Sequence, residues 1–326
     1  MKHNHAKLLA LASLALSMVT AKPEQDVITN TFPVKAGGKL IINADRGSIR
    51  ITTSDSDMVD VKVTRELRHS SNAEARKVFA QHKIEMSSTD NEVRIEGHAP
   101  QELHGFKNPI NRLQVDFVVA IPARFNIDVT TAGGNIEVAD LDGRAQVRSS
   151  GGNLKLAAVK GPIKAYTSGG NITLTKSESD TDVNTSGGNL HLGDIEGNLV
   201  GHTSGGRITL DKTKGSVKVS TSGGDISVKA AYGPLSAYTS GGNLSAQLNA
   251  QPTADCSLKT SGGNVDVVLA SNLALDVDAR TTAGRVNSDF PGTLNKDKTR
   301  LTARLNDGGT ALALETSGGN ITIRSK

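Results

Sequence analysis

The sequence predicts an all-β protein: a parallel β-solenoid (β-helix) of two-strand coils about 18 residues long, behind an N-terminal β-rich cap with one short helix. Three observations carry this. A Thr-Ser-Gly-Gly-Asn-Ile/Leu motif, as at Thr167–Ile172, recurs through the C-terminal two-thirds of the chain. Its second glycines are Gly134, Gly152, Gly170, Gly188, Gly206, Gly224 and Gly242, each 18 residues after the last. Gly263 follows after 21 residues, a degenerate copy (Thr282-Ala283-Gly284-Arg285) after another 21, and a final copy closes at Gly319. Aliphatic residues hold fixed columns relative to these glycines. Aromatic residues make up 3% of the chain with no tryptophan, against 34 glycines, a balance that suits thin coils better than the aromatic-filled core of an α/β enzyme.

At the N-terminus, Lys2 and Lys7 precede an apolar run from Leu8 to Val19, and Val19-Thr20-Ala21 offers a small-residue cleavage site. Residues 1–21 therefore read as a secretory signal peptide, and the run is too short for a spanning helix. The mature chain is expected to be exported, periplasmic or at the cell surface, without a transmembrane segment. Cleavage removes two lysines and no acid, lowering the formal net charge from +4 to +2. Lysines and arginines are scattered, so no nucleic-acid partner is expected. Cys256 is the single cysteine, which excludes an intramolecular disulfide.

Residues 22–31 are polar and expected to be flexible. Residues 32–130 are expected to form the cap. Leu40 and Ile42, Ile49 and Ile51, and Val59, Val61 and Val63 alternate with the period of two of half-buried strands. Asp45-Arg46-Gly47-Ser48-Ile49 is a degenerate version of the later repeat. Asn72–Gln81 is the helix: Ser71 or Asn72 can cap it, Glu74 places negative charge in its first turn, and Ala75, Val78 and Phe79 share a face. Strands resume around Ile84–Met86, Val93–Ile95, Leu113–Ile121 and Phe125–Thr130, and Ala99–Asn111, with Pro100, Gly105 and Pro109, reads as a loop. Such a cap covers the open edge of the first coil.

Residues 131–326 are the repeats. Six and four positions before the first glycine stand pairs such as Ile163/Ala165 and Val217/Val219; three and five after it stand Ile172/Leu174 and Ile226/Val228. Spacing by two in each half gives two short strands per coil, facing one interior. Further glycines (Gly143, Gly161, Gly197, Gly215, Gly233) mark a second bend, where Ser179 breaks the column. Each coil buries four or five aliphatics at about 1.5–3 kcal/mol apiece, against roughly 1–2 kcal/mol of backbone entropy per residue. One coil cannot fold alone; a stack can. The 21-residue spacings near Pro252 and Ala270 are expected to bulge, and Gly292–Arg300 to form the largest interruption.

The Thr, Ser and Asn columns are read as structural ladders between stacked coils, with the glycines supplying positive φ at a tight corner. Calcium-binding rolls need a regular aspartate column, and Asp225 takes the asparagine place once. Cys256 falls in an inward column and reads as a core residue. His191 and His202 face outward, His69, His82, His98 and His104 belong to the lead-in, and no pair has metal-ligand spacing. Polysaccharide-active enzymes on solenoids carry acids on an outer face; here Glu137, Asp182, Asp211, Asp266 and Asp278 are dispersed. No metal, cofactor or catalytic residue is assigned.

The candidate ligand-binding surface is an outward column three before the first glycine: Arg148, Tyr166, Asn184, His202, Ser220, Tyr238 and Lys259. Its two tyrosines lie four coils apart, about 19 Å at the spacing of paired strands. Aromatics along a flat polar face can stack on sugar rings, although tyrosine also simply suits an exposed strand.

With these repeats, the lead-in Leu40–Ile51, the strand ending Val118–Pro122 and the closing Thr316–Ile323, the chain resembles the bacterial putative-adhesin domain family, over about residues 30–326. The resemblance implies a parallel β-solenoid and a non-enzymatic module at the cell envelope or surface, and supplies no catalytic residues. The expected function is binding or scaffolding through the solenoid's outer face, with an envelope or surface glycan, or an envelope protein, as partner. The alternative is a structural or signalling protein docking through its cap or end; a polysaccharide-active enzyme ranks third. The chain shows no wall-sorting signal or C-terminal span, which makes periplasmic residence comparable to surface display.

Overall fold

The computed structural model describes residues 24–68, 70–100 and 109–326. The expected signal peptide, His69, His104 and most of the Ala99–Asn111 loop lie outside these residues. Two sheets of 15 and 14 strands, here sheets I and II, enclose one continuous core. In each coil the strand before the Gly-Gly corner lies in sheet I and the strand after it in sheet II. Strands of successive coils pair in parallel, as Ala145↔Ile163↔Thr181 in sheet I and Leu154↔Ile172↔Leu190 in sheet II, with a register shift between Val228 and Ala231 against Leu244–Leu248. The in-register 18-residue step brings each inward aliphatic over its counterpart, so Val147, Ala165 and Val183 form one buried column.

The N-terminal region continues these sheets. In chain order it comprises β1 (Glu24–Pro33), β2 (Lys39–Ala44), β3 (Ser48–Ser54), β4 (Met58–Leu67), α1 (Asn72–Gln81), β5 (Lys83–Thr89), β6 (Glu92–His98) and β7 (Leu113–Pro122). The strands β8 (Asn126–Thr131) and β9 (Ile136–Val138) follow. β2 and β3 form a coil in register with β8 and β9, through Ala44↔Thr131 and Ile49↔Ile136. β6 and β7 form a further parallel coil on the far side of β2 and β3. β4 and β1 then extend sheet II antiparallel, and β5 extends sheet I antiparallel.

From Glu24 onward, β1 takes the place of the flexible stretch expected over residues 22–31, of which residues 22 and 23 lie outside the described residues. Its inward side chains mix Asp26 with Ile28 and Phe32, so no apolar alternation shows in the sequence. Asp26 is satisfied by Arg65, a nearly buried side chain whose guanidinium also donates to the carbonyls of Phe79 (2.7 Å) and His82 and lies over the Phe79 ring. α1 is capped by Ser71, whose hydroxyl accepts from the Glu74 amide, and it buries Ala75 and Val78 against the core. The buried His82 that follows it meets Asp45, which also accepts from the Ala99 amide at 2.9 Å. Burial alone would raise the Asp45 carboxyl; hydrogen bonds from His82 and Ala99 and the charge of Arg46 outweigh it and hold the group below its usual range.

The last three coils do not stack in chain order. The strand Cys256–Thr260 pairs with Thr310–Thr316, which in turn pairs with Leu275–Thr281. The chain therefore skips a place, builds the outermost coil, and returns to fill the gap with its final repeat. Sheet II follows suit, with Ile321–Ser325 between Val265–Leu269 and Val286–Ser288. The exposed segment expected as an interruption is a hairpin: Arg300–Leu305 adds antiparallel to Leu275–Thr281, and Thr293–Leu294 pairs antiparallel with Arg300–Leu305. The two 21-residue spacings do carry longer loops, at 249–255 and 270–274. Removing the antiparallel flanking strands from either sheet leaves twelve parallel coils among the described residues.

The corner glycines work differently from the positive-φ expectation. Among the described repeat corners, Gly134 alone of the Gly-Gly pairs has positive φ (128°). What the second glycine supplies is absence of a side chain. A Cβ on Gly188 would lie 2.0 Å from the carbonyl oxygen of Gly170 one coil away, and the same clash recurs at Gly170, Gly206, Gly224 and Gly242. The first glycine is roomy: a Cβ on Gly187 meets nothing nearer than 3.7 Å. Accordingly Ala283 and Arg46 occupy the first position in the degenerate copies, while Gly284 and Gly47 keep the second.

Two ladders fasten this close approach. Each buried threonine before the corner bridges coils: Thr185 Oγ1 donates to the Gly170 carbonyl at 2.8 Å and accepts from the Gly188 amide at 3.3 Å. Each corner asparagine accepts through Oδ1 from the backbone amide of its successor, as Asn171 from Asn189 at 2.7 Å. The ladders thus run from side chain to backbone more than from side chain to side chain. A Gly188→Ala substitution is expected to destabilise the chain by roughly 1–3 kcal/mol through overpacking, whereas Gly187→Ala should stay within about 1 kcal/mol of the parent. Urea unfolding of the two variants checks this; equal losses would contradict the assignment.

Candidate functional site

The strands of sheet I place the predicted outward column in one line, through the pairs Arg148↔Tyr166↔Asn184↔His202↔Ser220↔Tyr238↔Lys259. It continues to Glu315 and Arg280. These residues share a register but not an environment. Asp182, which the sequence reading did not associate with the column, reaches across and gathers its first members. Tyr166 Oη donates to Asp182 Oδ2 at 2.6 Å, Asn184 Nδ2 donates to Asp182 Oδ1 at 2.6 Å, and the Arg148 guanidinium lies 5.6 Å from the Tyr166 ring centre. At the other end Lys259 pairs with Glu315 at 3.2 Å.

Between these ends lies a stretch of mostly uncharged side chains, with the exposed Lys218 between Val200 and Ser236 in the neighbouring column. His202 Nδ1 meets Ser220 Oγ at 2.9 Å. Tyr238 is 47% exposed, with its hydroxyl 3.2 Å from Ser240 Oγ, and Val200 is 48% exposed in the neighbouring column. Ser220 precedes Tyr238 in its own column, and Ser236 and Ser257 lie in the next one. These side chains are too short to cover the ring. The sequence signal for this stretch was the drop to serine around Tyr238; the diversion of Tyr166 had none, because Asp182 acts from another coil.

The five dispersed acids are all engaged. Glu137 pairs with Arg50 at 3.0 Å, Asp211 with Lys229 at 2.7 Å, Asp266 with Arg324 at 3.2 Å, and Asp278 with Arg300 at 3.1 Å and with Arg280. Asp182 serves the tyrosine network. No two of them stand on neighbouring coils of the same face. Cys256 is buried in the core, where desolvation raises its thiol pKa. Among the described residues no group of three or more His, Cys, Asp or Glu side chains converges to hold a metal ion, and no helix is long and apolar enough to cross a membrane.

This fold is a two-sheet parallel solenoid with antiparallel flanking strands. Residues 38–324 match the Toastrack DUF4097 family, and the chain belongs to that family. No curated protein matches it. Similar solved structures include a putative cell adhesion protein from Clostridium sporogenes, at 11% identity and a TM-score of 0.24, covering 94% of this chain and 100% of that one. A putative adhesin from Bacteroides fragilis aligns at 12% identity and a TM-score of 0.32, covering 93% and 99%. A putative lipid binding protein from Parabacteroides distasonis aligns at 9% identity and a TM-score of 0.32, covering 91% and 96%.

The two column tyrosines should titrate apart. Burial, then the hydrogen bond to Asp182 and its charge, raise the Tyr166 phenol above its usual pKa, with Arg148 opposing. Hydrogen bonds from Ser240 and Ser261 lower that of Tyr238. In an ultraviolet titration Tyr238 is expected to ionise at lower pH than Tyr166, the two being separated by Tyr238→Phe and Tyr166→Phe variants. Coincident titration would show that Asp182 does not engage Tyr166 in solution.

Proposed function

We propose that this chain is an exported, non-enzymatic adhesin-like binding module of the cell envelope or surface, and that it engages glycan through the outer face of sheet I around Tyr238. The observation that carries this reading is the exposed Tyr238 ring on a strand face shared with Ser220, Ser236 and Ser257, with Lys218 and Lys259 beside it. An aromatic face presents polarisable apolar area to the C–H side of a sugar ring. The serine hydroxyls both donate and accept, which matches sugar hydroxyls, and the two lysines can donate to them. The rigid sheet beneath fixes the ring before binding, which limits the ordering lost on association. Tyr166 has no comparable freedom, being held by Asp182 and covered by Arg148. Export is supported by the basic, apolar and small-residue succession of residues 1–21.

Purified protein should be retained on envelope polysaccharide or peptidoglycan. Tyr238→Ala is expected to weaken retention by about tenfold, the scale of losing one well-packed aromatic contact, while Tyr166→Phe leaves it unchanged. Retention of an envelope protein in place of glycan, unaffected by Tyr238→Ala, would overturn the reading and move the contact to the cap or an end.

A further inference from the structure

Among the described residues the asparagine ladder at the Gly-Gly corners is interrupted in one place. Asn135, Asn153 and Asn171 each accept the next corner amide, and Asn189 accepts that of Arg207 at 2.7 Å. The ladder resumes when Asp225 accepts from Asn243, and then runs through Asn264 and Asn320 to the amide of Arg285. Between the two runs stands Arg207, whose guanidinium has no acceptor to offer the amide of Asp225. A repeat that keeps its asparagine on both sides has given up a rung at this corner. Such local departures from an otherwise consistent pattern are where function is expected.

The two departures, Arg207 and Asp225, fall on consecutive coils and line the same recess. It has a volume of about 570 Å³, and Asn189, His191, Thr209 and Gly224 complete its walls. That size lies within the roughly 300–1,000 Å³ of small-molecule sites. Arg207 Nη2 donates to Asp225 Oδ2 at 2.9 Å, with both side chains reaching solvent. Asp225 is anchored from behind, since its Oδ1 accepts from the Asn243 amide at 2.9 Å. His191 stands between Thr173 and Thr209 in a column of mixed polar and charged residues, 4.0 Å from Asp211, itself paired with Lys229.

We propose that this corner recess on sheet II binds a neutral sugar residue through adjacent hydroxyls. The reasoning is electrostatic. An anion would have to displace Asp225 from Arg207, and Asp225 is fixed; a cation would have to displace Arg207 from Asp225. A hydroxyl needs neither exchange. It donates to Asp225 while it accepts from Arg207, Asn189 or the Asp225 amide, and a vicinal pair of hydroxyls matches the planar guanidinium–carboxylate pair. His191 and Thr209 stand where a second hydroxyl would reach.

The site shares its ligand class with the Tyr238 face but lies on the opposite sheet, so the two fail independently. The test is saturation-transfer NMR on the full chain with maltose and cellobiose, against glucuronate and glucosamine as charged counterparts. A neutral disaccharide is expected to bind. Arg207→Asn is expected to weaken that binding by about tenfold or more, the scale of losing hydrogen bonds to a charged group, whereas Tyr238→Ala leaves the signal at this site in place. Because asparagine restores the missing rung, Arg207→Asn should also raise the Tm by about 1–3 °C. Undiminished binding by Arg207→Asn, preference for either charged sugar, or no binding across the panel would overturn the proposal. A lowered Tm in Arg207→Asn would remove its premise.

Discussion

The structure depends on how closely two backbones approach at the Gly-Gly corner. Coils paired at strand spacing must also turn at the same height, and at the second glycine the carbonyl of one coil sits where a Cβ of the next would be. That constraint fixes glycine every 18 residues, and it keeps the sheet I and sheet II strands of successive coils in step. The threonine just inside the corner then ties the same carbonyl to its own coil's amide, and the asparagine just outside ties amide to side chain. Backbone groups that would be buried without partners at a turn are thereby satisfied, which is what makes so tight a bend affordable to repeat.

A parallel stack leaves two ends with open strand edges, and the chain manages each by leaving sequence order. At the start, β6 and β7 pass outside β2 and β3 before the chain moves inward to β8. At the finish, the outermost coil is built before the one beneath it. At the start an early coil is bracketed between two later segments, and at the finish the last coil is bracketed between two earlier ones, so neither end can peel away one strand at a time. Antiparallel strands and α1 then cover the N-terminal end, and a hairpin covers sheet I at the other. Sheet II ends there on the three-residue strand Val286–Ser288, a short edge that offers little to an incoming strand.

Much of this was legible because the two periods reinforce each other: alternation within strands sets the inward face, and the 18-residue step sets the neighbour. α1 was legible from its cap, charge and apolar face. The stacking order of the final coils was not, since Cys256/Leu258/Thr260, Val277/Ala279/Thr281 and Leu312/Leu314/Thr316 present equivalent inward patterns. β1 was hidden by Asp26, an inward charge whose partner Arg65 lies 39 residues away. The role of the glycines was misread because composition reports where glycine is needed, not whether conformation or space requires it. At the candidate face, the outward register of Arg148 through Lys259 followed from alternation. Which tyrosine stays free did not, because it depends on Asp182 reaching between coils.

The repeat therefore separates its duties. Inward and corner positions are held by packing and hydrogen bonding, while outward positions on the two sheets can vary without disturbing the stack; Tyr238 stands at such an outward position, and the Arg207–Asp225 recess where the corner ladder is interrupted. Amide hydrogen exchange resolved by residue tests the central claim most directly. The account predicts slow exchange at the corner amides held by the ladders, Asn171, Gly188, Asn189 and Arg207, and fast exchange at Asp225, whose rung Arg207 does not supply. Uniformly fast exchange along these corners, or equal protection of Asp225, would contradict it.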